Sequence, residues 1–276
     1  MKQRWLVVAI GLPLLLLVLL ACPAWATMLL VCAIAGIAAY ELLHTAGKNV
    51  PTSIYLLTVT AAAAYEVLLY YSEWTFFGAI QTVTVLRWAF LMLLFFTAVH
   101  RFGGERPFAF STLCAAVVGG IVFPAMYSCI GLLRNVSPAF VLMPFVIAFI
   151  GDSFSMLGGM AFGGKKLSPY VSPNKTVSGF VCGPVGSALG MVLLGLVSKW
   201  LWQMELPLWY LAVIGIAANL FGQLGDLSMS LIKREAGIKD YSHIFLTHGG
   251  VLDRFDSTLF LAPVVYAMLF LLEKLV

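Results

Sequence analysis

Residues 225–257 read GDLSMSLIKREAGIKDYSHIFLTHGGVLDRFDS, and two long apolar runs flank this stretch. The apolar runs indicate the fold class, and the stretch between them concentrates the charge. Only 10% of the residues in the chain are charged. Five of the twelve carboxylates nevertheless lie here, at Asp226, Glu235, Asp240, Asp253 and Asp256. Charged groups are costly next to a lipid bilayer, so this concentration is typical of a functional site.

The composition is that of a polytopic membrane protein. The 276 residues are 62% hydrophobic, with a mean hydropathy of +1.00. Long, continuous and non-alternating apolar runs predict transmembrane helices rather than strands. We therefore predict an all-α polytopic membrane protein with about nine transmembrane helices, and we interpret the first run as a retained helix rather than a cleaved signal peptide. The predicted spans lie near residues 5–21, 27–44, 54–71, 80–99, 108–131, 139–161, 179–200, 209–232 and 255–272.

The distribution of basic residues predicts the orientation. With nine spans, twelve of the sixteen Lys and Arg residues fall on the side of the N-terminus, three fall on the other side, and Arg87 lies within a span. Because cytoplasmic loops carry the excess of positive charge, the N-terminus is expected in the cytoplasm. Polar loops near 162–178 and 233–254 would then face the cytoplasm, and we expect a bacterial inner membrane. No basic–aromatic array suggests a nucleic-acid partner.

Two regions with different roles are predicted. Residues 1–138 contain little chemistry and are interpreted as a scaffold, in which Glu41 and Glu66 pair with helical neighbours or reach towards the membrane interface. Residues 139–276 are interpreted as the catalytic region. Two GxxxG spacings in the seventh span allow close helix approach, within one chain or between two chains of a homodimer. Their members are Gly179, Gly183, Gly186 and Gly190.

The eighth span presents a polar face near its end. Asp226, Ser230 and Lys233 follow one another at spacings of four and three, so they share one face of a helix. A carboxylate, a hydroxyl and an ammonium group in one stripe suit a metal-bound phosphate, and a structural Asp–Lys pair is the alternative.

Further polar groups surround the last two spans. Gly249 and Gly250 allow backbone amides to approach a phosphate. Asp253 and Asp256 share the opening turn of the ninth span, where two carboxylates either cap the helix or hold Mg²⁺. The polar turn 172–176 suits an anion at a helix N-terminus or an ordinary helix cap.

These residues form a recognisable pattern. The run Ser230-x-Ile232-Lys233-Arg234, Lys239-Asp240-x-Ser242, Phe245 and His248-Gly249-Gly250-x-x-Asp253-Arg254-Phe255-Asp256 resembles the signature of phosphatidate cytidylyltransferases, also called CDP-diacylglycerol synthases. Asp152 and the turn Ser172-Pro173-x-Lys175-Thr176 agree with it. Two departures are Val177-Ser178, where the family usually has an aromatic residue and a Glu, and Asn174, where Lys is frequent.

The resemblance implies that CTP and phosphatidate react to give CDP-diacylglycerol and pyrophosphate at the membrane. It implies Mg²⁺ as the cofactor, with the number of metal sites and a monovalent ion in one of them left open. The implied metal ligands are Asp226, Asp253, Asp256 and Asp152. The implied catalytic residues are Asp226, Asp253, Lys233, Arg234 and His248, the last as a hydrogen-bond donor. The implied substrate-binding residues are Ser172, Lys175, Thr176, Ser230, Lys239, Asp240, Gly249, Gly250 and Arg254.

Two other functions are alternatives to this one. A CTP-dependent kinase of a lipid alcohol would need a base for a hydroxyl group, and the full signature favours the transferase. An ion or phosphate transporter would explain Asp152 and Asp226 within spans. The missing internal repeat and the charge concentrated on one side argue against it.

Overall fold

The computed structural model describes residues 2–72, 76–102, 104, 109–203, 205–245 and 249–275. Almost all regular structure in these residues is helical. The helices are α1 (Lys2–Leu16), α2 (Ala24–Ala46), α3 (Thr52–Ser72), α4 (Phe76–Arg101), α5 (Phe110–Val117), α6 (Phe123–Val136), α7 (Pro138–Phe162), α8 (Val177–Trp202), α9 (Leu208–Glu235) and α10 (Leu252–Leu275). Residues 236–251, between α9 and α10, are called the signature loop below.

The predicted all-α polytopic architecture is confirmed. Within the described residues, eight helical segments are long and apolar enough to cross a membrane. Their ends lie at most five residues from eight of the predicted spans. The remaining prediction, 5–21, corresponds to α1 and a π-helical continuation, Leu17–Ala21. The apolar helix described there, Ala9–Ala21, is shorter than the others.

The chain forms two compact units, which do not follow chain order. The first contains Met1–Gly131 and Glu235–Arg254, and the second contains Leu132–Arg234 and Phe255–Val276. The signature loop therefore groups with the N-terminal helices. The division into a scaffold (1–138) and a catalytic region (139–276) concerns roles and stays a prediction.

The first unit is built on α2 and α3, with α4 packed on α3. The predicted span 108–131 appears as α5, a π-helical segment (Val118–Val122) and α6. Two glycines in the π-helical segment explain its close packing. A Cβ on Gly120 would lie 2.6 Å from the Phe90 ring, and one on Gly119 would lie 3.2 Å from Ala39 Cα. Small residues let helices approach closely in a membrane.

The second unit is built on the packing of α7 against α8. The glycines of α8 face α7, since a Cβ on Gly186 would overlap Phe154 and one on Gly190 would lie 2.6 Å from Ile150. The GxxxG spacings are therefore used within the chain. The core residues of this unit are Leu133, Met143, Ile147, Ala148, Met191, Leu194, Tyr210, Leu211, Ile214, Ala218, Leu261 and Val265.

A short β-hairpin connects α7 and α8 where the sequence predicted a polar turn. Strand β1 (Lys166–Ser168) pairs antiparallel with β2 (Ser172–Thr176), with Ser168 opposite Ser172. Gly163 ends α7 with a φ of 58°, a left-handed conformation that glycine adopts without strain. The hairpin brings β2 to the N-terminus of α8.

Candidate active site

The polar face of α9 forms as the spacing predicts. The Ser230 hydroxyl donates a hydrogen bond of 3.3 Å to Asp226 Oδ1. Lys233, one turn further on, is buried, with 8% of its surface exposed. The buried ammonium group requires negative charge nearby.

The hairpin supplies the ion-pair partner of Asp226. Lys175 Nζ of β2 forms an ion pair with Asp226 Oδ2, and both side chains are about three-quarters buried. The hairpin is also held to the end of α9, because Arg234 Nε donates a hydrogen bond of 3.2 Å to the carbonyl of Val171. The sequence suggested a pair between Asp226 and Lys233 as the structural alternative, and the structure pairs Asp226 with Lys175.

Three aspartates of the second unit are close enough to interact electrostatically. The negative charge of Asp226 repels those of Asp152 and Asp256. The positive charge of Lys233 offsets part of the repulsion at Asp256. Asp256 is buried, with 8% of its surface exposed. Glycine at 225 allows α9 to approach α10, because a Cβ there would lie 2.8 Å from the carbonyl oxygen of Asp256. We call Asp152, Asp226, Asp256, Lys175 and Lys233 the carboxylate cluster.

The carboxylate cluster has the chemistry of a site for a hard divalent cation. Mutually repelling carboxylates bind Mg²⁺ through oxygen, which this ion prefers. Among the described residues, however, no three His, Cys, Asp or Glu side chains are already arranged at a metal site. The assignment of Mg²⁺ to Asp152, Asp226, Asp253 and Asp256 therefore stays a prediction.

In the first unit, Asp253 organises the signature loop. Its Oδ2 accepts hydrogen bonds from the backbone N–H of Tyr241, at 2.8 Å, and of Gly250, at 2.9 Å. Gly249 has a φ of +80°, and a Cβ there would lie 2.7 Å from Asp253 Oδ2. The N–H of Gly250, predicted to approach a phosphate, is thus bonded to Asp253.

A buried carboxylate of α2 contacts the signature loop, which sequence reasoning did not predict. Glu41 is buried, with 1% of its surface exposed, and its carboxylate accepts hydrogen bonds from Ser242, Val251 and Leu252 of the same unit. The interpretation that Glu41 pairs with a helical neighbour or reaches the interface is therefore wrong. The only sequence signal was a carboxylate inside an apolar run.

Other predicted residues occupy a range of positions. Thr176 caps α8, accepting a hydrogen bond of 3.2 Å from the N–H of Gly179, so the helix-cap alternative is realised. Ser178, at one of the departures from the family pattern, donates to the carbonyl of Gly163 at 2.5 Å. Ser172 and Asp240 are partly exposed, and Lys239 and Arg254 are exposed. His248 lies outside the described residues.

Fold and site together define an integral membrane protein with a cluster of carboxylates and cations on a helical scaffold. The sequence model of the Cytidylyltransferase family matches residues 2–272. The chain belongs to this family.

The chain is also similar in sequence to several bacterial phosphatidate cytidylyltransferases. The phosphatidate cytidylyltransferase of Bacillus subtilis strain 168 is 34% identical over 210 residues, which are 72% of each chain. That of Staphylococcus haemolyticus is 31% identical over 76% of this chain and 77% of its own. That of Staphylococcus epidermidis is 37% identical over 161 residues, and this match spans 58% of either chain. The last alignment thus leaves more than a third of that relative unmatched.

Proposed function

We propose that the protein is a CTP:phosphatidate cytidylyltransferase that makes CDP-diacylglycerol and pyrophosphate for phospholipid synthesis. The observation that carries the proposal is the carboxylate cluster, in which Lys175 of the hairpin pairs with Asp226 of α9. It occurs in a chain of the cytidylyltransferase family whose relatives are named phosphatidate cytidylyltransferases.

The reaction brings two polyanions together. A phosphate oxygen of phosphatidate attacks the α-phosphorus of CTP, a new P–O bond forms, and the bond to the leaving pyrophosphate breaks. Fixed cations must reduce the repulsion and stabilise the leaving group. Lys175 of the hairpin and Lys233 and Arg234 of α9 would bind phosphates in this way. The lipid phosphate is ionised at neutral pH, so the attack needs no strong general base.

Mg²⁺ fits the donor set of the carboxylate cluster. Asp226 and Asp256 would hold it, Asp152 would assist, and Asp253 is the further ligand that the family signature implies. When bound, the ion would supply positive charge to the phosphate oxygens. A second metal site, or a monovalent ion in one of the sites, is left open.

The remaining signature residues complete the proposal. Lys239, Arg254 and Ser172 would contact phosphates, and His248 would donate a hydrogen bond. The excess of basic residues on one side of the spans supports an active site facing the cytoplasm. The bacterial relatives support a location in the inner membrane of a bacterium. A homodimer stays a prediction, and the glycines of α8 no longer support it, because they pack against α7.

Two radiolabels of CTP test the proposal. The purified protein is incubated with Mg²⁺, phosphatidate and CTP labelled at the α-phosphate or at the γ-phosphate. The proposal expects the α label in the lipid fraction and the γ label in pyrophosphate.

A lipid-alcohol kinase would give the opposite result, with the γ label in lipid when diacylglycerol replaces phosphatidate. Absence of the α label from lipid, with phosphatidate present and the protein folded, would overturn the proposal. A reaction without phosphatidate is the blank.

A further inference from the structure

We propose that Glu41 is a positioning residue that holds the signature loop, and through it Asp253, in the conformation used for catalysis. The inference rests on the proposed function for its catalytic part. Its structural part, the set of hydrogen bonds between Glu41 of α2 and the residues around the loop, can be tested without that function.

The carboxylate of Glu41 binds the middle of the loop, at Ser242, and the junction of the loop with α10, at Val251 and Leu252. Its Oε1 accepts hydrogen bonds from the Ser242 hydroxyl, at 2.5 Å, and from the N–H of Val251, at 3.0 Å. Its Oε2 accepts from the N–H of Leu252, at 2.7 Å. The first N–H groups of a helix lack partners within the helix, and a negative charge there is favourable. Glu41 thus caps α10 from a helix about two hundred positions earlier in the chain.

Asp253 binds the same two parts of the loop as Glu41. Its Oδ2 holds Tyr241 and Gly250, each adjacent in sequence to a residue that Glu41 holds. The two carboxylates therefore bind neighbouring residues at two places, 241–242 and 250–252. Because the residues that bind Glu41 are adjacent in sequence to those that bind Asp253, a change at Glu41 is transmitted to Asp253.

Glycine at position 250 is explained by the same contact. A Cβ on Gly250 would overlap Oε1 of Glu41. One glycine of the signature is therefore needed to admit the carboxylate of α2, in addition to any approach of a phosphate. The scaffold helix and the signature motif fit together at this point.

A buried glutamate of the same unit provides a contrast. Glu66 of α3 is also buried, with 5% of its surface exposed, and within the described residues its Oε1 has no hydrogen-bond partner. A buried carboxylate is expensive unless hydrogen bonds satisfy it. At Glu41 the signature loop supplies those bonds, so the loop and the carboxylate depend on each other.

The test compares Glu41→Gln, Glu41→Asp and the matched control Glu66→Gln. Glutamine keeps the size of the side chain but turns an amide N–H towards a backbone N–H, so kcat should fall about 10- to 100-fold, as for lost outer-shell partners of a metal ligand. Aspartate keeps the charge and should restore part of kcat. The control Glu66→Gln removes a buried charge whose Oε1 has no hydrogen-bond partner among the described residues, so kcat should stay close to that of the wild type.

A double-mutant cycle separates positioning from general destabilisation. In an Asp253→Asn background, Glu41→Gln should cost less than about threefold, because the two changes act on one loop. In a Lys175→Met background its cost should remain in full. Equal costs in both backgrounds, or an equal loss from Glu66→Gln, would overturn the inference. If Glu41→Gln fails to fold, Ser242→Ala removes one donor and should lower kcat about 2- to 10-fold.

Hydrogen exchange keeps the inference testable apart from the proposed function. Glu41→Gln should accelerate amide exchange across residues 250–252 about tenfold or more, because local opening becomes easier. If Glu41→Gln changes neither the exchange rate nor kcat of an active enzyme, the positioning role of Glu41 is refuted and the proposed function is not. If the wild-type protein makes no CDP-diacylglycerol but Glu41→Gln still accelerates exchange, the proposed function is refuted. The contact between Glu41 and the signature loop is then still supported.

Discussion

Replacing Asp226 with asparagine removes one negative charge while keeping the size of the side chain. In the structure this carboxylate pairs with Lys175, accepts a hydrogen bond from Ser230 and interacts with Asp152 and Asp256. Loss of one preorganised electrostatic group typically lowers kcat about 10²- to 10³-fold, equivalent to about 2.7–4 kcal/mol. We expect Asp226→Asn to lose at least about 100-fold in turnover for this reason.

The effect on stability should be much smaller than the effect on turnover. The ion pair of Asp226 is partly solvated, with side-chain exposures of 26% and 28%, and such pairs contribute about 1 kcal/mol or less. Removing the charge also relieves repulsion from two other aspartates, which offsets part of that loss. We therefore expect Tm to change by no more than about 2–4 °C.

The assay measures transfer of α-labelled CTP to phosphatidate, alongside thermal unfolding in the same detergent. Glu205→Gln is the matched control, because Glu205 forms an ion pair of 2.9 Å with Lys199 while its side chain is 77% exposed. The control should keep turnover within about twofold. If Asp226→Asn kept more than a tenth of the wild-type turnover, Asp226 would have no central role in the chemistry.

The other predictions use the same preparation. Asp253→Asn should lower kcat at least about 100-fold, and near-normal turnover would remove it from the proposed metal ligands. Lys175→Met should lower kcat/KM for CTP about 10- to 100-fold through loss of a charge-assisted contact, whereas Lys199→Met should have little effect; equal effects would contradict this role. Gly186→Ala should lower stability, measured by unfolding, by about 1–3 kcal/mol, because the added Cβ would overlap α7. Gly131→Ala should be neutral or slightly stabilising, because, apart from its own neighbours in the chain, none of the described residues has an atom within 4 Å of the added Cβ. Chelation by EDTA should abolish turnover and added Mg²⁺ should restore it; turnover that persists in EDTA would exclude the divalent ion.

Most of the helical architecture could be predicted from local sequence. Hydrophobic runs of sufficient length must satisfy their backbone polar groups internally, so they form helices wherever they cross a membrane. The face shared by Asp226 and Ser230 follows equally directly from helix periodicity, and the structure shows their hydrogen bond. These predictions need only the spacing of residues within one element.

The hairpin and the partner of Asp226 depend on interactions between elements. Strands of three and five residues, one containing Pro173, are too short to show alternation, so the sequence predicts only a polar turn there. Lys175 lies 51 positions before Asp226, and its approach depends on how β2 sits beside α9. Lys233, on the same helix as Asp226, was the partner that local spacing could suggest.

Glu41 shows why an apolar scaffold can contain part of a site. Its carboxylate is useful only because the signature loop returns to the N-terminal helices and offers it a hydroxyl and two backbone N–H groups. Nothing in the surrounding run AAYELLHTAG specifies those donors, because they come from more than two hundred residues later in the chain. A carboxylate that is 1% exposed is costly unless hydrogen-bond donors satisfy it, so its burial points to donors elsewhere in the chain. A buried acid in a helix assigned to the scaffold is thus a reason to look for the loop that satisfies it.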